Sequence, residues 1–163
     1  MKAAVVMGST SDLEKVEPAV KILKEHNVEV KVRCLSAHRA HKALAAFIDE
    51  CNSDGTSVII TAAGMAAALP GVVASMTVIP VIGVPLSGSV LDGTDALYSI
   101  VQMPPGIPVA TVAINGSKNA AHLALQILAL SNPELKNTLL EERKAMEESA
   151  EKANLEVISR FEQ

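Results

Sequence analysis

Short apolar runs and longer amphipathic ones take turns along this chain, and that alternation restricts its fold more than any other feature. The apolar runs are residues 3–7, 28–35, 58–62, 79–84 and 109–114. Four of them lack the in-out alternation of a half-exposed strand, so they fit strands covered on both faces. Residues 28–35 do alternate, with Val28, Val30 and Val32 against Glu29, Lys31 and Arg33, which suits an edge strand. Between the runs lie helix patterns at 12–26, 40–51, 69–76, 96–103 and 117–129. Strand–helix repetition of this kind predicts an α/β fold: a parallel sheet with right-handed crossovers and helices on both faces, a three-layer α/β/α sandwich. The expected arrangement is the flavodoxin-like five-stranded order 2-1-3-4-5. With no internal repeat or linker, residues 1–163 read as one domain.

The tail breaks the rhythm. Asn132 and Pro133 form a helix start, an N-cap followed by proline at the first helical position. No breaker follows over 133–161, while Leu135, Leu139, Met146, Ala150, Ala153 and Ile158 recur at roughly helical spacing. Such a C-terminal helix is ~40 Å long at 1.5 Å per residue, longer than a small domain is wide. Its apolar stripe is expected to pack on a neighbouring subunit; folding back over its own sheet is the alternative.

Composition excludes several classes. Aromatic residues are 2% of the chain, with no Trp, so the core must be built from Ala, Val, Ile, Leu and Met. A net charge of −4 gives no basic footprint and there are few rings to stack bases, which argues against nucleic acid. The two cysteines, Cys34 and Cys51, lack CxxC spacing and suit a reducing cytoplasm, Cys34 as a small filler within its strand. The apolar start ends at Gly8, too soon for a secretion signal, and no run approaches a membrane span.

Ligands in open parallel sheets bind at the carboxyl ends of strands. After the first run comes Gly8-Ser9-Thr10-Ser11-Asp12: a glycine permitting close approach, hydroxyls and helix-end N–H groups for an anion, and a carboxylate for ribose hydroxyls. Ordinary capping through Ser11 and Glu14 is the plainer reading. After the second comes Ser36-Ala37-His38-Arg39, where an imidazole can move a proton near neutral pH and a guanidinium can hold a phosphate. A solvated helix start capped by Ser36 is the alternative there. After the third, residues 62–71, with Gly64 and a run of alanines, offer an uncharged wall, and Ser87-Gly88-Ser89 continues the theme of small residues. Together these loops suit a small phosphorylated ligand undergoing proton transfer. Spacing for a metal site or a Ser–His–Asp triad is missing. A flavin domain lacks its sandwiching aromatics, and a receiver domain lacks an aspartate after the third strand.

Gly8-Ser9-x-Ser11-Asp12, Ser36-Ala37-His38-Arg39, Ala63-Gly64 with Leu69-Pro70-Gly71, and residues 98–104 followed by 106–109 resemble the PurE family of purine biosynthesis. The resemblance covers residues 5–130 and implies an enzyme without metal or cofactor, acting on aminoimidazole ribonucleotides as a homo-octamer with active sites at subunit contacts. The implied reaction is the isomerisation of N5-carboxyaminoimidazole ribonucleotide (N5-CAIR) to 4-carboxy-5-aminoimidazole ribonucleotide (CAIR). Direct carboxylation of aminoimidazole ribonucleotide (AIR) by CO2 is one alternative, and a catalytically altered homologue, with Ala68 at a position where the family has a pocket histidine, is another. His38 matches the catalytic histidine, and Ser9, Asp12 and Arg39 match substrate-binding positions, with Ser11, Ser36 and Gly64 beside them. One departure stands out: where the mutase pattern reads AAHLPG, this chain has Ala68 in place of the histidine.

Overall fold

The computed structural model describes residues 1–162. Five strands, β1 (Lys2–Met7), β2 (Glu29–Cys34), β3 (Val58–Gly64), β4 (Val81–Leu86) and β5 (Ala110–Thr111), alternate with helices α1 (Leu13–Glu25), α2 (His41–Ser53), α3 (Leu69–Ala74), α4 (Thr94–Val101) and α5 (Ser117–Ala129). A long helix, α6 (Pro133–Phe161), follows. The strands form one parallel sheet in the order β2-β1-β3-β4-β5, as the alternation predicted.

Burial explains the strand patterns. Every residue of β4, and all but the ends of β1 and β3, is buried. Residues Ala4, Val6 and Ile59 share a cluster with Leu44, Phe47 and Ile48 of α2, Val73 of α3 and Ile100 of α4. The intervening strand residues, Val5 and Ile60 among them, face the other layer, where α1 buries Val16, Ala19 and Leu23. Fully burying one Ile or Leu contributes ~1.5–3 kcal/mol, so a core without tryptophan is still sufficient. The alternating run proves to be the edge strand β2, where the Arg33 guanidinium lies 5.1 Å over the Phe47 ring.

Several expectations shift. The fifth run yields only two ladder residues; past them only single backbone bonds reach β4, Val112 N–H to Gly83 O at 3.1 Å and Asn115 N–H to Pro85 O at 2.8 Å. Cys34 is exposed at the strand end and is no core filler, whereas Cys51 is buried, its thiol pushed up by burial. At the amino end of the sheet, Lys2 bonds Asp54 at 3.3 Å and Glu29 at 3.5 Å, and Lys31 pairs with both Asp54 and Glu50. Thr56 donates its N–H and hydroxyl to Asp54 at 3.0 and 2.7 Å. These donors, Lys31 first, hold the Asp54 carboxyl well below the usual carboxylate range, and Lys31 is raised in turn.

The chain divides into two compact units, residues 1–128 and the segment from Ala129 onward. In the second, Asn132 caps α6 by accepting the Leu135 N–H at 2.9 Å. Leu140, Met146, Leu155, Val157 and Phe161 on this helix are all exposed. Among the described residues no helix is long and apolar enough to cross a membrane.

Candidate active site

The loops leaving β1, β2, β3 and β4 line one cleft of about 560 Å³ at the carboxyl end of the sheet. All seven residues expected at a site, Ser9, Ser11, Asp12, Ser36, His38, Arg39 and Gly64, line it. Parallel pairing makes this convergence unavoidable, because Met7 of β1 is in register with Cys34 of β2 and Ala62 of β3.

The β1 loop is held by its own side chains. Ser9 N–H donates to Asp12 Oδ2 at 3.1 Å, and Ser9 Oγ accepts from Ser11 N–H at 3.3 Å and from Ser11 Oγ at 2.8 Å. The capping box is therefore Ser9 with Asp12 on the turn Thr10–Asp12, not Ser11 with Glu14. Burial raises the Asp12 carboxyl, and the Ser9 N–H and the Lys15 charge oppose that rise. A methyl group added at Gly8 would meet nothing within 4 Å, so the protein leaves that space beside the backbone open.

The β2 loop is a turn and not a helix cap. Ser36 C=O accepts N–H bonds from Arg39 at 3.3 Å and Ala40 at 2.9 Å, and Arg39 Nε donates to Ser36 Oγ at 3.4 Å. Helix α2 begins after Ala40, which offers no side-chain cap. The turn leaves His38 and Arg39 exposed on the cleft wall while Ala37 beneath them is buried.

The β3 loop supplies the apolar wall. Gly64 packs tightly on the neighbouring strand: a methyl there would stand 3.2 Å from the Leu86 carbonyl oxygen, which would have to give by a few tenths of an ångström. Met65 then turns left-handed at φ 56° and stays 66% exposed. Ala67 and Ala68 follow in tight turns, donating to Met65 O at 2.9 Å and Ala66 O at 2.6 Å.

One residue lining the cleft escaped the sequence. Lys15, three residues after Asp12 on the same helical face, reaches across to donate to Ser87 O at 2.6 Å and Ser87 Oγ at 3.4 Å. Spacing from Asp12 was the signal available, but it speaks only once the first turn of α1 is known to border the cleft. Ser87 is fixed by Asn115, which accepts its N–H at 3.1 Å and donates to its Oγ at 2.8 Å. Among the described residues no three His, Cys, Asp or Glu side chains group to hold a metal ion.

Chemically the cleft combines a guanidinium, an ammonium, an imidazole, a hydrogen-bonding carboxylate and an uncharged wall. The chain is 50% identical over 145 residues to the N5-carboxyaminoimidazole ribonucleotide mutase of Pyrococcus abyssi, covering 89% of this chain and 83% of that protein. It is 53% identical over 131 residues to the phosphoribosylaminoimidazole carboxylase of Schizosaccharomyces pombe, covering 80% of this chain and 24% of that one. The crystal structure of Treponema denticola PurE superposes with a TM-score of 0.83 at 31% identity, covering 99% of both chains. With the AIR carboxylase family model matching residues 2–149, the chain belongs to the AIR carboxylase, or PurE, family.

Proposed function

We propose that this protein is an N5-CAIR mutase of purine biosynthesis. The observation that carries the reading is the meeting of His38, Arg39 and the Gly8–Asp12 loop on one cleft whose third wall is the uncharged 63–68 segment. Arg39 and Ser9 hold the 5′-phosphate, with Ser11 and Ser36 fixing their geometry, and Asp12 holds the ribose. The carbamate N–C bond of N5-CAIR breaks, releasing CO2 against the wall of Gly64 and the alanines. C4 of the ring forms the new C–C bond to that CO2. His38 delivers a proton to the exocyclic nitrogen and receives the C4 proton, so protons balance over the cycle. Keeping both fragments in place supplies proximity, and His38 supplies acid–base catalysis worth roughly 10²–10⁴-fold.

Recapture needs a cleft closed to water, and His38 and Arg39 are exposed in the single chain. Closure comes from assembly into a homo-octamer. Exposed Leu13, Met65, Val90 and Leu91 at or near the cleft loops, and the exposed apolar residues of α6, support subunit contacts at both places. Two unpaired cysteines support a cytoplasmic location.

The test supplies N5-CAIR with bicarbonate omitted. Formation of CAIR supports the mutase; CAIR formed only from AIR plus bicarbonate selects direct carboxylation, the reaction class in the name of the Schizosaccharomyces pombe relative. In the same assay His38→Asn loses turnover by roughly 10²–10⁴-fold while still binding AIR. Undiminished turnover removes His38 from the mechanism.

A further inference from the structure

We infer that Lys15 recognises the imidazole carboxyl group and so lets the cleft tell carboxylated ribonucleotides from AIR. The inference rests on the mutase reading above. Across the sheet order β2-β1-β3-β4, the cleft offers Arg39 on the β2 loop, Asp12 after β1, the alanine wall after β3, and Lys15 tied to Ser87 after β4. Arg39 therefore stands on the β2 side of the cleft, while Lys15 is tied to the β4 loop, with β1 and β3 between those two loops. A substrate with phosphate at one end and a carboxyl group at the other matches that arrangement end for end. With Arg39 on the phosphate and Asp12 on the ribose, the heterocycle lies along the wall and its carboxyl group points to the β4 side.

Lys15 is built to stay where it is. Its ammonium is anchored on the Ser87 carbonyl at 2.6 Å, and Ser87 is held in turn by two hydrogen bonds with Asn115, donating its N–H to Oδ1 and accepting from Nδ2 at Oγ. Asn115 is itself fixed, its N–H donating to Pro85 O at 2.8 Å and its backbone left-handed at φ 57°. The next residue, Gly88, has φ +122°, which favours glycine, and a methyl there would only touch Lys15 Nζ, at an ordinary 3.7 Å. An ammonium has three N–H donors, so the two Ser87 acceptors leave it capacity for one anionic oxygen. A preplaced cation binds that oxygen without first ordering a long side chain.

Equilibrium binding of AIR and of CAIR to wild-type protein and to Lys15→Met tests this. The variant should bind CAIR roughly 10- to 100-fold more weakly, the strength of a hydrogen bond to a charged group, and AIR within about threefold of wild type. Lys15→Arg, which keeps the charge, should retain most of the preference for CAIR. Equal weakening of both ligands would assign Lys15 to loop packing or to the phosphate, and unchanged binding of both would leave it no role; either overturns the inference. Should Lys15→Met fail to fold, Lys15→Gln gives the same comparison. Wild-type protein that binds neither ribonucleotide defeats the mutase reading itself.

Discussion

Gly83, in the middle of β4, marks a close approach of the sheet to α4. A methyl group there would stand 2.5 Å from Ile100 Cγ2 of α4 and 2.9 Å from Val109 Cγ1, both closer than real Cβ contacts come. Two effects oppose each other in Gly83→Ala. The backbone lies outside the left-handed region, so alanine narrows the unfolded ensemble and gains ~0.4–1 kcal/mol. Against this, overpacking a dense core costs ~1–3 kcal/mol, and Ile100 is fully buried with no room to retreat. The clash should win by ~1–2 kcal/mol, lowering the melting temperature by about 2–8 °C for a chain of this size. Urea unfolding at one fixed protein concentration measures it, the midpoint falling with an unchanged slope. Ile100→Ala alone costs ~2–5 kcal/mol through the cavity it opens. That cavity receives the new methyl, so the double variant should be more stable than the sum of the singles predicts by at least ~0.5 kcal/mol. A neutral or stabilising Gly83→Ala, or strict additivity, would refute the claim that close approach demands glycine.

Gly8→Ala should leave the melting temperature unchanged or slightly raised, since its methyl meets no protein atom, yet weaken ribonucleotide binding; equal affinity for AIR in a titration would show the open space unused. Asp54→Asn tests the ion cluster. The folded carboxyl titrates below its unfolded value of ~3.9, so its stabilisation is present above that pH and is lost as pH falls toward the folded value. Melting temperatures from pH 6 to about 2 should fall less steeply for the variant than for wild type, and parallel curves would dismiss the cluster's role. Met65→Gly relieves a left-handed methionine and should raise stability by up to ~1 kcal/mol, read by urea unfolding; a clear loss would mean Met65 packs more than its exposure indicates.

The sheet was legible because strands buried on both faces must be apolar throughout, and β1, β3 and β4 are. Its edges were less so. Whether residues 109–114 pair over their length depends on how long the neighbouring β4 runs alongside, and only two residues make the ladder. Ser9, Asp12, His38 and Arg39 could be found because their chemistry sits beside strand ends in sequence. Lys15 could not, because its partner Ser87 lies 72 residues away on the loop after β4. The same holds for Asn115, an ordinary turn asparagine until its two bonds to Ser87 are seen. Capping was misplaced by two residues for a local reason: Ser9 and Ser11 are both eligible, and only the carboxylate at Asp12 decides between them.

Each wall of the cleft hangs from a separate strand whose ladder is already complete beneath it. The molecule thus works as a rigid mount carrying four exchangeable tools. Re-cutting residues 64–68, for instance, would leave the loops that carry Ser9, Asp12, His38 and Arg39 in place, so one wall can change without disturbing the others.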